Sequence, residues 1–281
     1  MKIIVMGGNG FLGKELVRYF SAGNEVISAS LHSSDGTISL DATNKDKVND
    51  FISKYKPDIV IDTIALSNSV ACEKNPEMCK EINYSTAKNI AEVCNENNIQ
   101  MIFISSSYVF DGDRGNYSEK DIPNQRNAYA KTKVMAEKEI SKLSNYLILR
   151  VEMMYGLDNG KIKFGTRTLD ADLVEIGYPS QIRNPLFIED VPKIISALIK
   201  KGQKGIFHVA GSDKISLLEF IKELSKLVSP SPQIKIVDSS KWFVESPKNP
   251  TLNISKINSL GIKTTSINNA LDLLKKELNS L

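Results

Sequence analysis

The sequence predicts an α/β fold, in which a doubly wound parallel sheet is accompanied by a small, discontinuous C-terminal domain. Three observations predict it. Short runs rich in β-branched residues alternate with amphipathic helical stretches through the first two-thirds of the chain. A glycine-rich turn follows the first predicted strand, and the strand–helix alternation weakens after Arg150.

The predicted strands are short apolar runs of the kind that parallel sheets bury on both faces. They are Lys2–Met6, Glu25–Ala29, Ile59–Ile64, Met101–Ser105, Tyr146–Leu149 and Ile206–Val209. Between them apolar residues recur at helical spacing, as at Val48, Phe51, Ile52 and Tyr55. Because the carboxyl ends of parallel strands meet at one edge of a sheet, ligands are expected beyond those ends.

The last part of the chain predicts a smaller domain in two pieces. Residues from about 151 to 190 are expected to be loop-rich. Further on, a helix is predicted over Leu217–Val228, a short strand over Ile234–Val237 and a covering helix over Ser266–Leu281. The predicted sheet domain is therefore 1–150 with about 184–210, and the small domain is about 151–183 with 211–281.

Composition and charge exclude several classes of protein. The net charge of +3 is too small to indicate a nucleic-acid or membrane partner, and no apolar run approaches the ~20 residues of a membrane helix. Cys72, Cys79 and Cys94 form no C-x-x-C pair and leave one over in any pairing, which favours reduced thiols and a cytoplasmic location. With His32 and His208 as the only histidines, no metal site is predicted.

Glycines at 7, 10 and 13 form a turn between the first strand and a helical pattern over Lys14–Phe20. Gly7 permits a tight turn, Gly10 lets the backbone approach a pyrophosphate, and Gly13 lets the helix lie close to the strand. The first helical turn then presents free N–H groups to phosphates. This placement favours a dinucleotide site, with Asn9 in the same loop, over the alternative of a plain tight turn.

The end of the second predicted strand bears on the choice of dinucleotide. Sites that prefer NAD usually place a carboxylate there, on the ribose 2′-hydroxyl. Residues 28–34 contain no carboxylate, and their hydroxyls, including that of Ser30, suit a 2′-phosphate, as does the imidazole of His32. NADP(H) is therefore favoured over NAD(H), and the alternative is a polar loop without a ligand. Further on, Asp41 either accepts a hydrogen bond from an adenine amine or caps the next helix.

Tyr129 and Lys133 are four residues apart, so both project from one face of a predicted helix. A lysine cation stabilises a phenolate and lowers the tyrosine pKa, which lets the hydroxyl donate a proton to a developing alkoxide near neutral pH. The spacing alone is weak evidence, because it recurs at Tyr84 and Lys88 and also occurs in exposed helical contacts.

Context separates the two pairs. Ser105–Ser107 ends a predicted strand, at the edge of the sheet where ligands bind, and the Tyr129 helix follows it. Tyr84 precedes that strand, so its pair is placed on an outer helix. Tyr129 and Lys133 are therefore the expected catalytic pair. One of the three serines would hydrogen-bond a substrate carbonyl oxygen, and the spacing leaves open which one.

Two segments carry a family resemblance. Residues 103–112, which include Tyr108–Gly112, and residues 127–133 resemble motifs of the dTDP-4-dehydrorhamnose reductase family. Further stretches that resemble it are 57–62, 71–73, 75–77, 82–83, 149–150, 155–156 and 252–256. The chain is thus similar, along nearly its whole length, to extended short-chain dehydrogenases/reductases with a Rossmann-like fold.

The resemblance implies NADPH- or NADH-dependent reduction of the 4-keto group of a nucleotide-linked 6-deoxysugar, as in dTDP-rhamnose biosynthesis, often by a homodimer. By position it implies a catalytic set of Ser106, Tyr129 and Lys133, since Ser106 occupies the family's threonine position. The implied cofactor contacts are Gly7, Gly10, Phe11, Leu12, Asp41, Ala42, Ile64 and Ala65.

Four departures from the family lie on the substrate side or its border. Ser107 replaces an aspartate, Met153 replaces a substrate-contacting tryptophan, and residues 62–65 read Asp-Thr-Ile-Ala instead of Asn-Ala-Ala-Ala. The segment 157–182 is shorter than in the family and lacks the family's helical stretch. The candidate substrate contacts are Ser67, Ser107, Tyr108, Met153, Arg183, Trp242 and Lys248. Trp242 is alternatively a core anchor.

Two other functions are alternatives. The regulatory beta subunit of methionine adenosyltransferase also resembles this chain, including the Tyr108–Gly112 segment, and works by binding a partner enzyme. A sugar-nucleotide epimerase or dehydratase is the other alternative. A dehydratase normally adds acidic residues beside the serine, and Ser107 with Tyr108 offers none.

Overall fold

The structure is a computed structural model that describes residues 1–34, 36–169, 173–238, 244 and 246–280. Its strands are β1 (Lys2–Met6), β2 (Glu25–Ser30), β3 (Thr37–Ser39), β4 (Ile59–Asp62), β5 (Gln100–Ser106), β6 (Tyr146–Val151), β7 (Met154–Asp158), β8 (Lys161–Phe164), β9 (Arg167–Thr168), β10 (Leu173–Ile176), β11 (Ile182–Arg183), β12 (Leu186–Phe187), β13 (Gly205–Val209), β14 (Ile215–Ser216) and β15 (Gln233–Ile236). Its helices are α1 (Phe11–Phe20), α2 (Lys45–Tyr55), α3 (Ser69–Lys74), α4 (Pro76–Lys80), α5 (Thr86–Glu96), α6 (Ala128–Ile140), α7 (Asp190–Lys200), α8 (Leu217–Ser225), α9 (Ser255–Ser259) and α10 (Ile267–Leu278).

The central sheet has seven strands in the order β13-β6-β5-β4-β1-β2-β3. β1 pairs in parallel with β2 and with β4, and β4 pairs in parallel with β5. Every residue of β4, and of β1 after Lys2, is buried, which explains why these strands read as continuous apolar runs. The predicted α/β fold with a parallel central sheet is confirmed.

The first compact unit comprises residues 1–106, 127–150 and 191–207. Helices α2, α5 and α6 contribute side chains to a hydrophobic core that also contains residues of β1, β2, β4, β5 and β6. The helical spacing predicted in α2 is confirmed, because Val48, Phe51 and Ile52 are buried in this core and Tyr55 packs against it.

The second compact unit comprises residues 107–126, 151–190 and 208–281. It contains a four-stranded sheet in the order β12-β7-β8-β9 and the pairs β10–β15 and β11–β14. The expectation of a loop-rich segment from 151 to 190 is therefore wrong. The missed signal is Asn159-Gly160, where both residues have positive φ, as a tight two-residue hairpin turn requires.

Residues 107–126 belong to the second unit, whereas the predicted boundaries place them with the sheet domain. The N–H of Tyr117 donates to the Thr251 carbonyl at 2.9 Å, and the N–H of Asn253 donates to the Tyr117 carbonyl at 2.7 Å. These bonds join segments that are far apart in the chain, so no local sequence pattern indicates them.

Most predicted elements of the C-terminal part are present with shifted ends. Helix α8 and helix α10 confirm the predicted helices over 217–228 and 266–281, and β15 confirms the predicted strand near 234. Helix α7 was not predicted. Pro192 is compatible with it, because it lies in the first turn, where proline is well tolerated. The described helices are all too short or too polar to cross a bilayer.

The structure joins Cys72 and Cys79 in a disulfide, with their Cα atoms 5.0 Å apart. The expectation of reduced thiols is therefore wrong for this pair. Asn75 ends α3 and caps α4, and this turn brings the two short helices, each with one cysteine, together. Cys94 is a free, buried thiol.

Candidate functional site

The glycine-rich turn joins β1 to α1. Gly7 has a φ of +85°, and its N–H donates to the Ala29 carbonyl at 2.8 Å. A Cβ atom at Gly13 would lie 2.1 Å from the Gly7 carbonyl oxygen, so only glycine allows α1 to begin this close to the strand. Gly10 is the N-cap of α1 and brings no capping side chain. The N–H groups of the first helical turn are therefore oriented as a phosphate site requires.

Asn9 ties this turn to the end of β2. Its backbone N–H donates to Ser30 Oγ at 3.1 Å, and its Nδ2 donates to the His32 carbonyl at 2.8 Å. Ser34 Oγ donates to Asn9 Oδ1 at 2.6 Å. Hydroxyl groups therefore lie beside the turn at the position where an NAD-preferring site would carry a carboxylate.

A cavity of about 460 Å³ lies beside β2, β3 and α2 and includes Asp41 in its lining. The hydroxyl and the N–H of Thr43 donate to Asp41 Oδ1 at 2.6 and 3.1 Å and hold the pKa of this carboxyl below its usual value. Asn44 is the residue that caps α2, by accepting a hydrogen bond from the Lys47 N–H. The alternative that Asp41 caps this helix is therefore wrong, and a contact with adenine stays a prediction.

Tyr129 and Lys133 lie in the first turns of α6. Asn127 caps this helix by accepting a hydrogen bond from the Ala130 N–H at 2.9 Å. Tyr129 is half-buried and packs against the Cys72–Cys79 pair. Lys133, one turn later, is only 2 % exposed.

The second pair with the same spacing has a different environment. The side chain of Lys88 is 43 % exposed, and its ammonium lies 3.7 Å from the carboxylate of Glu92 on the same helix, α5. Solvent screens the charge of an exposed, paired ammonium of this kind, so it would stabilise a neighbouring phenolate only weakly. The difference in burial between Lys88 and Lys133 thus separates two identical sequence patterns.

Lys133 ties α6 to the carboxyl end of β5. Its Nζ donates to the Ile104 carbonyl at 2.9 Å and lies 4.5 Å from the centroid of the Phe103 ring. Ser106, the predicted catalytic serine, is the last residue of β5 and is 9 % exposed. The three predicted catalytic residues therefore belong to one strand end and the helix that is anchored to it.

Buried charges surround Lys133. Burial lowers the pKa of Lys133 to about 8, while the carboxylates of Asp62 and Glu137 act in the opposite direction. Burial raises the pKa of Asp62 to about 6. Glu137 forms a buried ion pair with Arg150, at 2.7 Å. Near neutral pH Lys133 is therefore mainly an ammonium, which is the form that stabilises a phenolate.

Hydrogen bonds distinguish the three consecutive serines. Ser105 Oγ donates to Glu137 Oε1, so the Ser105 hydroxyl helps to solvate the buried Glu137–Arg150 ion pair. In the second unit, Ser107 Oγ donates to Glu152 Oε1 at 3.3 Å. Two of the three hydroxyls thus donate hydrogen bonds to buried carboxylates. The catalytic role of Ser106 stays a prediction.

The second unit contains a buried polar cluster that includes several of the predicted substrate contacts. Arg183 pairs with Glu152 at 2.7 Å and donates to the Tyr108 hydroxyl at 3.0 Å. Burial raises the pKa of Glu152, and the Arg183 guanidinium opposes that. Neither Ser107 nor its sequence neighbour Tyr108 is acidic, but the carboxylate of Glu152, 45 residues away in the chain, lies beside Ser107 in space.

The remaining predicted contacts differ in exposure. Met153 is half-buried, and its N–H donates to the Glu152 carboxylate. Lys248 has an exposed side chain, and its carbonyl accepts from the Ile182 N–H at 2.9 Å. Trp242 lies outside the described residues. The other predicted contacts are exposed (Ala65, Ser67), half-buried (Phe11, Ile64) or buried (Leu12, Ala42).

The family described as the RmlD substrate binding domain matches residues 1–280. The chain belongs to the RmlD substrate-binding domain family. This match spans both compact units, and it agrees with the resemblance of residues 103–112 and 127–133 to dTDP-4-dehydrorhamnose reductases.

Relatives of this RmlD-family chain include a methionine adenosyltransferase subunit and reductases. The methionine adenosyltransferase 2 subunit beta of Rattus norvegicus is 27 % identical, over 93 % of this chain and 83 % of its own. A probable low-salt glycan biosynthesis reductase of Haloferax volcanii is 28 % identical, over 81 % and 80 %. Among solved structures, a dTDP-4-dehydrorhamnose reductase of Clostridium acetobutylicum has a TM-score of 0.83 at 25 % identity, with both chains fully covered.

Three buried carboxylates of this RmlD-family chain were not predicted from the sequence, those of Asp62, Glu137 and Glu152. Glu137 follows Lys133 by four residues on the same helix, which is a spacing that could have indicated it. Asp62 was visible only as a departure from the family pattern. No sequence signal indicates Glu152, because its partners Ser107 and Arg183 are distant in the chain.

We expect Gly13→Ala to lower the free energy of unfolding by about 1–3 kcal/mol, because the new methyl group would overlap the Gly7 carbonyl. Gly23→Ala is the matched control, since a Cβ atom there meets nothing within 4 Å. Urea unfolding measures both. Equal stability of the two variants would contradict the close approach of α1 to β1.

We expect Glu137→Gln to lower the free energy of unfolding by about 3–5 kcal/mol, because it leaves the Arg150 guanidinium buried without its carboxylate. The double variant Glu137→Leu/Arg150→Met should regain much of that loss. Glu139→Gln, at a partly exposed ion pair with Lys142, is the control and should unfold like wild type. A neutral effect of Glu137→Gln on urea unfolding would refute the buried pair.

Proposed function

We propose that this RmlD-family chain is an NADP(H)-dependent reductase of the 4-keto group of a nucleotide-linked 6-deoxysugar. The buried Lys133 ammonium, one helical turn from Tyr129 and bonded to the strand that ends in Ser106, is the observation that carries the proposal. Burying an ammonium is costly, so a function that uses its charge accounts for its position. The resemblance to reductases supports the same function.

The residues around the glycine turn fit a dinucleotide. The uncapped N-terminus of α1 suits a pyrophosphate, and the hydroxyl of Ser30 at the end of β2 suits the 2′-phosphate of NADP better than a carboxylate would. NAD(H) is the alternative. The residues proposed to hold the cofactor are Gly7, Asn9, Gly10, Phe11, Leu12, Gly13, Ser30, Asp41, Ala42, Ile64, Ala65, Tyr129 and Lys133.

The bound cofactor would supply a hydride to the keto carbon. Ser106 Oγ would donate a hydrogen bond to the carbonyl oxygen and stabilise the negative charge that develops there. Tyr129 would donate its phenolic proton to that oxygen, which completes the alcohol. The Lys133 ammonium would stabilise the resulting phenolate until the tyrosine regains a proton from solvent.

Substrate contacts are proposed in the second unit. Arg183 is buried, and its Nε has no hydrogen-bond acceptor among the described residues, which supports a role toward an oxygen of a ligand. Ser107, Tyr108 and Met153 share its surroundings and are proposed with it. Contacts from Ser67, Lys248 and Trp242, a homodimer and a cytoplasmic location stay predictions.

A regulatory subunit is the second candidate function. The similarity to methionine adenosyltransferase 2 subunit beta supports it. Such a subunit would bind a partner enzyme and would need no proton donor. A sugar-nucleotide epimerase is a further alternative. Turnover of a keto sugar at the expense of reduced cofactor separates the first function from both alternatives.

We expect the wild type to oxidise NADPH in the presence of a freshly prepared dTDP-4-keto-6-deoxyhexose, and Tyr129→Phe to lose about 10²–10⁴-fold in kcat. The loss of reduced-nicotinamide absorbance measures this. Tyr84→Phe is the matched control and should keep wild-type activity, since Tyr84 belongs to the pair with the exposed lysine. Cofactor binding without turnover of this or related keto sugars would contradict the reductase, and a pull-down for a partner enzyme would then test the regulatory subunit.

We expect Ser30→Asp to lower the ratio of kcat/KM for NADPH to that for NADH by about tenfold or more, because a carboxylate there repels the 2′-phosphate. NADH is the internal control, since it lacks this phosphate. Initial rates with both cofactors measure the ratio. An unchanged ratio would show that the end of β2 does not meet the 2′ position.

A further inference from the structure

Asp62 is a buried carboxylate to which the proposed mechanism gives no role. It is the last residue of β4 and is 0 % exposed. Its Oδ1 accepts a hydrogen bond from the Ile64 N–H at 2.9 Å, while its Oδ2 has no donor among the residues that the structure describes. A buried carboxylate with an unbonded oxygen is costly unless an opposite charge faces it.

Phe103 links Asp62 to Lys133. The parallel pairing of β4 with β5 sets Asp62 directly beside Phe103, so their side chains project from the same face of the sheet. The Lys133 Nζ lies 4.5 Å from the centroid of the Phe103 ring. The ammonium therefore lies over the ring of the residue next to Asp62. The negative charge of Asp62 raises the pKa of Lys133 and so favours its charged form.

The other carboxylate that acts on Lys133 is already engaged. The single Nε–H of Arg150 is shared between the two carboxylate oxygens of Glu137, at 3.0 and 3.2 Å, and Arg150 Nη2 donates to Glu137 at 2.7 Å. It also accepts from the Ser105 hydroxyl. Because the guanidinium balances the charge of Glu137, Asp62 remains as the carboxylate that balances Lys133.

Two further titratable groups face this pair. Cys94, on α5, is buried, and its pKa is raised by burial and by the charge of Asp62, so it stays a neutral thiol. Tyr129, on α6, precedes Lys133 by one turn and is the group on which the ammonium acts. Neither group supplies a positive charge that could balance Asp62 in place of Lys133.

We propose that Asp62 is a positioning residue for the reduction, whose carboxylate balances the buried Lys133 ammonium and keeps it charged beside Tyr129. The proposal deepens the proposed function and rests on it, because the charge of Lys133 matters to turnover only if Tyr129 donates a proton. The family that this chain resembles has asparagine at this position, so the carboxylate distinguishes this chain.

An amide at position 62 would remove the counter-charge and keep the shape of the side chain. Burial would then lower the pKa of Lys133 with less opposition, so Lys133 would lose its proton at a lower pH. A neutral Lys133 stabilises the Tyr129 phenolate less. Activity that depends on the ammonium is lost as the pH rises through this pKa, so the loss should begin at a lower pH in Asp62→Asn.

The first experiment measures the titration of Lys133 directly. Protein with 13C-labelled lysine is titrated from about pH 6 to about pH 11, and the NMR chemical shift of the Lys133 side chain, assigned by comparison with Lys133→Arg, gives its midpoint. We expect Asp62→Asn to lower this midpoint by about one pH unit or more. Asp58→Asn, at the exposed start of the same strand, is the matched control and should leave it unchanged. An unchanged midpoint in Asp62→Asn overturns the proposal.

The second experiment follows kcat/KM for the keto sugar and NADPH against pH. We expect Asp62→Asn to lose activity relative to wild type by about tenfold at pH 9 and by much less at pH 6.5, where Lys133 is charged in both proteins. A parallel loss at both pH values overturns the role of Asp62. Asp62→Ser is the second uncharged variant, for use if the amide variant does not fold. If the wild type turns over no keto sugar, the proposed function fails, while the NMR titration midpoint of Lys133 still decides whether Asp62 balances it.

Discussion

The hydrogen bond from Lys133 Nζ to the Ile104 carbonyl is the contact on which the candidate site depends. It anchors α6 to the end of β5, and so it fixes Tyr129 relative to the strand that ends in Ser106. It also takes an ammonium out of water. The Ile104 carbonyl, the Phe103 ring and the Asp62 carboxylate together replace part of the hydration that the ammonium loses on burial.

The order of the strands places the parts of the site at one edge of the sheet. The strands β5, β4, β1 and β2 are consecutive neighbours, and each ends in a residue or turn with a proposed role. These are Ser106 at the end of β5, Asp62 at the end of β4, the glycine turn after β1 and Ser30 at the end of β2. A parallel sheet thus gathers residues that are up to a hundred positions apart without any local signal.

The features predicted correctly from the sequence are those that depend on residues close together in the chain. The apolar strands, the amphipathic face of α2, the tight turn at Gly7 and the helical spacing of Tyr129 and Lys133 all depend on residues close in sequence. The Ser107–Glu152 bond and the pairing of 107–126 with the segment near Thr251 depend on chain topology, so the sequence did not reveal them. The Cys72–Cys79 disulfide is local, since its cysteines are seven residues apart, but their spacing is not that of a C-x-x-C pair. The hairpin at Asn159-Gly160 was a local signal that was overlooked.

The central claim is that reduced cofactor transfers a hydride to the sugar at the site formed by Ser106, Tyr129 and Lys133. The most direct measurement uses NADPH deuterated at the nicotinamide C4 and follows the sugar product by NMR and mass spectrometry. The account predicts one deuterium at the sugar C4 with wild type and none above background with Tyr129→Phe. A protein that binds the labelled cofactor tightly, yet leaves the sugar unlabelled and unreduced, would contradict it.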